Sequence, residues 1–336
     1  MQLQVMFFDA GSDYLPYYKK FDLDVRKYKK IRDLCAAVKE MDENFDYDGD
    51  YPLVRINGLV AHGSQNIDEV CEVVGDEWRV EPAWKYRCVN DLVMDESDFH
   101  AAYKLIEPYA SMEDRFFFAS LKDVHYASST LEFDKEYIGD AVLVTAHRMI
   151  SRGNEHKEAI LKAISEDVSG LWSCEYEKLT IGGRDFTEQI EELKSWATPP
   201  RPDLFSRLCS KLARPKPAPA VQTLEDLPVA LYFGDEKMKE WIGSRGAMLI
   251  SFSKERRKAG QSLVKVNPDL AYKKGAAVLL DAMDSGADLL VTGSVEDARY
   301  FRSNFSNFER ASGREIYIDI IAFEELQGIK LKEEVK

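Results

Sequence analysis

Five cysteines and five histidines are the residues of this chain best suited to ligation or nucleophilic attack, and their spacing withholds most of that chemistry. Cys35, Cys71, Cys88, Cys174 and Cys209 are scattered, with no two closer than 17 residues. An odd, dispersed set gives neither a disulfide framework nor a local C-x-x-C metal site. Each reads as a buried small apolar residue. His62, His100, His125, His147 and His156 are equally spread, and only the last two are near each other. Their separation is not a ligand spacing on one helical face, and zinc needs three or four convergent ligands. Asn44-Phe45-Asp46-Tyr47-Asp48-Gly49 opens like an EF-hand loop, but position twelve, where a bidentate Glu belongs, is Arg55. It reads as an acidic turn. No motif supports Ser-His-Asp or Cys-His catalysis.

Two small-residue turns remain. Gly243-Ser244-Arg245-Gly246 and Thr292-Gly293-Ser294 sit where loops after strands meet helix N-termini, which can bind phosphate. Neither matches a Walker or dinucleotide fingerprint. Thr292-Gly293-Ser294 is the better ligand-loop candidate, and ordinary turn chemistry explains both. Lys254-Glu255-Arg256-Arg257-Lys258 is locally basic in an acidic protein. Such runs are mostly solvated faces, though a basic run can steer an acidic partner.

The elements that must carry these residues follow from pattern. The 336 residues, 45% of them hydrophobic, suffice for two or three domains. The formal charge of −14 disfavours nucleic acid as a main partner. No apolar run reaches a membrane span, and the first residues lack the blocks of a signal peptide, so a cytoplasmic protein is expected. Residues 2–8 and 21–25 have strand character, Ile31 to Met41 a helical face, and residues 53–60 two strands around the Asn57-Gly58 turn. This order fits a β-grasp domain over 1–94. Helices are predicted over 95–197, from Ser97 to Ile106, Ala141 to Ile150, Glu155 to Ile164 and Thr187 to Trp196, the last capped by Thr187. Six of twelve prolines fall between Pro199 and Pro219, which makes 198–227 a semi-rigid linker, with a short helix over 203–212. From 228 to 336 strands near 229–233, 248–252, 288–292 and 316–321 alternate with helices over 237–242, 271–283, 295–305 and 323–326. That alternation argues for a small α/β domain with a mostly parallel sheet. The class expected is α+β followed by α/β.

Two stretches carry a resemblance to a known family. One is Val89-Asn90-Asp91-Leu92-Val93-Met94-Asp95, followed by Phe99, Tyr103, Ile106, Pro108 and Tyr109. The other is Gly170-Leu171-Trp172-Ser173-Cys174, followed by Phe186-Thr187-Glu188-Gln189-Ile190-Glu191-Glu192-Leu193-Lys194. Both resemble the iron–sulfur subunit of succinate dehydrogenase and fumarate reductase, over residues 1–197. The segment Asp288 to Asp297, with the Lys273 to Met283 helix before it, resembles the C-terminal cysteine-rich domain of heterodisulfide reductase, over residues 228–330. The resemblance implies a β-grasp ferredoxin-like domain, a helical ferredoxin-like domain and a heterodisulfide-reductase-like α/β domain.

It also implies clusters held by cysteine thiolates, usually four per cluster. The loop from Phe45 to Tyr51, where the two-iron cluster would sit, is short and has no cysteine. Anchored on Tyr137-Ile138-Gly139, the next ligand run falls on Phe117, Ser120, Asp123 and Ala127. The last run begins at Cys174, the one match, and continues through Tyr176 to Asp185 without another. The reductase-like pair falls on Ser294 and Asp297. The tryptophan expected after the second run falls near Leu131, and the residue after Cys174 is Glu175 rather than His. The quinone-proximal features are therefore missing too.

With those positions vacated, the chain is expected to hold no cofactor and no metal. It is expected to act in protein–protein interaction, as a scaffold, assembly factor or regulator whose partner is a redox-complex subunit. No nucleic acid and no direct membrane span are expected. Two alternatives stay open: a remodelled iron–sulfur electron carrier built on the five cysteines, and a small-molecule binder or enzyme centred on Thr292, Gly293 and Ser294.

Overall fold

The computed structural model of the chain describes residues 3–49, 51–166, 169–200 and 213–329. It divides into two compact units, Met1–Thr198 and Pro199–Lys336. The first is α+β with a mixed sheet, the second α/β with a parallel sheet.

The first unit opens with β1 (Leu3–Phe7) and β2 (Tyr17–Phe21), then α1 (Ile31–Met41), β3 (Leu53–Ile56), β4 (Leu59–His62), α2 (Ile67–Val74) and β5 (Trp78–Pro82). The sheet order is β2-β1-β5-β3-β4, antiparallel except for the parallel β1–β5 pair. Ile31, Leu34, Cys35 and Val38 form the buried face of α1. They pack in one core with Leu3, Val5, Val54 and Trp78. The Asn57-Gly58 turn has φ of 48° and 90°, the left-handed pair that a two-residue hairpin of this twist needs. Asn57 also ties the turn to β5: its Oδ1 accepts from Arg79 N–H at 2.9 Å.

The alternating stretch 21–25 is not a strand. The strand ends at Phe21, and Asp24 caps a single 3-10 turn over Val25–Lys27, its carboxylate accepting from Arg26 N–H at 3.2 Å. A short polar side chain that bonds its own backbone competes with a sheet ladder.

A two-stranded ribbon follows, β6 (Cys88–Asn90) and β7 (Val93–Met94). Asp91 turns it with a φ of 49° and accepts from the N–H groups of Phe8 (2.9 Å) and Asp46 (2.8 Å). Then come α3 (Ser97–Tyr103), α4 (Met112–Ala119), α5 (Lys122–Ala127), α6 (Asp140–Ser151), α7 (Lys157–Glu166) and α8 (Thr187–Trp196). α6 is the axis of this lobe, with Ala141, Val142, Leu143, Val144 and Ala146 all buried. Thr187 is the first helical residue of α8 rather than its cap. The cap position is Phe186, which makes no side-chain cap bond, and Asp185 just before it accepts from Thr187 N–H at 2.9 Å.

The second unit has the order β11-β10-β8-β9, with every pair parallel. Its elements are β8 (Pro228–Tyr232), α9 (Glu236–Gly243), β9 (Met248–Ile250), α10 (Pro268–Asp284), β10 (Leu289–Thr292), α11 (Val295–Ser303), α12 (Phe305–Ser312), β11 (Asp319–Ala322) and α13 (Phe323–Gly328). α10 begins before Ala271 because Asn267 caps it, accepting from Leu270 N–H at 3.2 Å, with Pro268 at the first position. The helix expected over 295–305 breaks at Asn304, whose side-chain amide donates to Tyr300 O at 2.9 Å, and resumes as α12. In the proline-rich stretch Lys216 N–H donates to Arg302 O (2.9 Å) and its ammonium to Ile318 O (2.9 Å). The helix expected over 203–212 lies outside the described residues. Among the described residues, no helix is long and apolar enough to cross a membrane.

Candidate functional site

The four positions aligned with the second ligand run do not converge. Phe117, in the last turn of α4, is half-buried with the Arg148 guanidinium 4.5 Å from its ring centroid. Ser120 is exposed and donates to Phe117 O at 2.6 Å. Asp123 faces His62, 3.5 Å from its Nε2. Ala127 is packed into the helical core.

Cys174 has a built environment. Cys174 follows a 3-10 turn over Leu171–Ser173 and is fully buried. Its thiol donates to Asp140 Oδ1 at 3.4 Å, and the Tyr137 hydroxyl donates to the same oxygen at 2.6 Å. Asp140 is the first residue of α6, where the helix dipole favours its charge. Burial outweighs that: it pushes the Asp140 carboxyl above the usual range, against hydrogen bonds from Tyr137, Ser128 and Cys174. Burial, with Asp140 alongside, also raises the Cys174 thiol well above its ordinary value. The sulfur therefore stays protonated. A metal ligand or nucleophile must be a thiolate.

Beside this trio, His125 of α5 is buried with 1% exposure. Its ring stands edge-on to Phe99 (5.3 Å) and Tyr126 (4.9 Å), and its Nε2 is 3.9 Å from Asp98 Oδ2, an electrostatic contact rather than a hydrogen bond. Burial pushes the Asp98 carboxyl up, but His125 and the Tyr126 hydroxyl, 2.9 Å away, hold it below the usual range. The other side of the imidazole lies on Gly139. A Cβ there would sit 2.2 Å from Nδ1, and the φ of 90° disfavours any side chain. His125, Asp140 and Gly139 were not legible as a unit. An Asp opening a helix reads as an exposed dipole partner, and nothing local announces its burial.

The residues present do not fit an iron–sulfur cluster. Four converging thiolates are required; this region offers one thiol, hydrogen-bonded to a carboxyl, with the remaining space filled by imidazole, phenol and methyl groups. Among the described residues, no group of three or more His, Cys, Asp or Glu could hold a metal. Cys35, Cys71 and Cys88 are buried apart from one another in α1, α2 and β6, their thiols pushed up by burial to about 12, about 11 and about 12. Cys209 lies outside the described residues.

The other candidates resolve into structural roles. Arg55 spans β3 and α5, its guanidinium donating to Ala83 O (3.0 Å), Gly58 O (2.9 Å) and Tyr126 O (2.8 Å). An open cleft of about 680 Å³ is lined by Tyr47, Asp48, Met94, Glu96 and His100. His147 Nε2 meets both Glu192 (2.7 Å) and Ser151 (3.4 Å). A relay needs base and acid on different ring nitrogens.

Thr292, Gly293 and Ser294 end β10 at the point where the chain switches from one side of β8 to the other, where ligands of parallel sheets bind. All three are committed to the turn. The Thr292 hydroxyl donates to Ser294 O at 2.7 Å. Ser294 caps α11, accepting from Asp297 N–H at 3.0 Å and donating to its carboxylate at 2.7 Å. A Cβ at Gly293 would lie 2.4 Å from Phe233 O.

No family model and no curated protein matches the chain. Among solved structures, it is similar to a hypothetical protein from Helicobacter pylori, with 16% identity and a TM-score of 0.49 over 100% of this chain and 72% of that one.

Proposed function

We propose that this chain is a cofactor-free relative of the respiratory iron–sulfur subunit, joined to a cluster-less reductase-like domain, and that it works by docking to another protein as a scaffold, assembly factor or regulator. The strand order β2-β1-β5-β3-β4 with α1 packed across it, followed by a helical lobe, supports the β-grasp part of this reading. One observation carries the reading: the single surviving ligand position, Cys174, is a buried thiol bonded to Asp140. Once the thiolates are gone, what such a fold retains is surface.

The test is anaerobic purification with iron and sulfide analysis, then gentle affinity capture from the native cells. The reading expects colourless protein without stoichiometric iron and a reproducible partner. Bound iron, or an electron paramagnetic resonance signal on reduction, supports the remodelled carrier instead. Failure to capture any reproducible partner removes the docking role.

A further inference from the structure

We propose that the free edge of the five-stranded sheet, β2 with the hairpin tip before it, is the docking site for an extended acidic segment of a partner protein, added alongside β2 as a further strand. This rests on the docking role above and gives it a surface. Among the described residues β2 pairs only with β1, so one row of its main-chain N–H and C=O groups has no sheet partner. Such an edge is a template for another strand, with main-chain bonds giving affinity and alternate side chains giving specificity.

The tip presents exposed apolar groups. Tyr14, Leu15 and Tyr17 are 95%, 69% and 48% exposed. The turn beneath them is held by its own bonds: the Asp9 carboxylate accepts from Gly11 N–H (2.8 Å) and the Ser12 hydroxyl (3.0 Å), and Asp13 accepts from Asp9 N–H (2.9 Å). Ala10 N–H pins the loop to Val89 O at 3.0 Å. A turn backbone already held by its own bonds loses less entropy on binding.

Charge chooses the occupant. The chain carries −14 overall, yet residues 17–32 hold seven Lys or Arg against two Asp. Lys19 is paired with Asp42 and Arg26 with Asp76, while Lys20, Lys27 and Lys29 are exposed. Two copies of this edge would bring lysines face to face, which is destabilising. The acidic remainder of the molecule repels a long polyanion, whereas a short acidic segment laid along β2 meets the exposed Lys20, with the Asp9 and Asp13 carboxylates of the tip engaged in their own turn. Tyr17 and Lys20 lie on opposite faces of β2, so the added strand alternates acidic with apolar residues.

The test pans the full chain with a phage-displayed library of random dodecapeptides and measures the best synthesised peptide by fluorescence anisotropy. The expected winner alternates acidic and apolar residues. Its affinity should fall at least about ten-fold, as expected for loss of a charged contact or an aromatic anchor, in both Lys20→Glu/Lys29→Glu and Tyr14→Ala/Leu15→Ala. Every changed residue is exposed, and circular dichroism checks each variant's fold. No enriched peptide, or one that both variants bind unchanged, overturns the site while leaving the docking role to the capture experiment. Single-stranded oligouridylate binding that both variants abolish overturns it in favour of nucleic acid. A dimer in sedimentation that both variants dissociate overturns it in favour of self-association.

Discussion

Gly139→Ala tests how tightly side chains pack around His125. The new methyl carbon would stand 2.2 Å from His125 Nδ1 and 2.5 Å from Cε1, more than an ångström inside ordinary contact. The imidazole is buried between Phe99 and Tyr126 and has little room to retreat. Overpacking of this kind costs about 1–3 kcal/mol. The backbone at φ 90° and ψ 146° lies in a region essentially reserved for glycine and adds about 1–3 kcal/mol for any other residue. The sum predicts a loss of about 2–6 kcal/mol, read by urea unfolding of the full chain with circular dichroism and assigned to the first unit's transition. His125→Ala removes the steric part but not the backbone part. In that background Gly139→Ala should cost only the backbone part, about 1–3 kcal/mol, a coupling of about 1–3 kcal/mol between the two sites. Equal costs in both backgrounds, within about 0.5 kcal/mol, would refute the packed plug. So would a cost below about 1 kcal/mol in the wild-type background, because the backbone term alone reaches that.

Asp140→Asn keeps an acceptor for Tyr137 and Cys174 but cannot ionise. Burial raises the folded-state carboxyl above its unfolded value, so the stability it confers is fully present below the unfolded pKa and is lost as pH rises through the elevated one. The variant should therefore gain on wild type across that window, measured as a difference in urea midpoints against pH; a flat difference refutes the burial. In a Cys209→Ser background, native protein at pH 8 should resist iodoacetamide at Cys35, Cys71, Cys88 and Cys174, then label fully in denaturant; prompt native labelling of Cys174 would contradict a buried, protonated thiol. Gly293→Val should lower the melting temperature of the second unit with no ligand present, because its Cβ meets the Phe233 carbonyl at 2.4 Å. An unchanged melting temperature would mean that the turn can open.

The elements that sequence pattern exposed are those whose periodicity is their own. The apolar face of α1, the Asn57-Gly58 hairpin and the alternation of β8, β9, β10 and β11 with helices needed no tertiary information. α2 and β5 escaped. β5 carries a buried Glu81, which reads as a surface residue until Tyr18, Arg79 and Lys85 are seen around its carboxylate. The anchor Tyr137-Ile138-Gly139 and the lone Cys174 were legible, and Tyr137 bonds the same carboxyl as Cys174. Which residues fill the space between them was not. His125 and Asp140 are distant in sequence, polar by type and buried only because helices from both sides close over them.

On the relationship proposed above, ligand positions falling on Ala127 and Cys174 would have a metal cage tie the end of α5 to the turn over Leu171–Ser173. Here the same segments are joined otherwise: Tyr137 and Cys174 meet on Asp140, and His125 lies against Gly139. The two solutions exclude each other. Metal binding needs the sulfur as thiolate, whereas a buried carboxyl hydrogen-bonded to that sulfur favours the thiol and would repel a second negative charge at this distance. Ala127 in the core and Ser120 in solvent then leave the remaining ligand positions facing different surroundings. A cysteine placed at any one of these positions gains no cluster, because four converging thiolates are needed. Close-packed side chains hold this region together, and the surface left uncovered among the described residues includes the β2 edge with Tyr14 and Leu15.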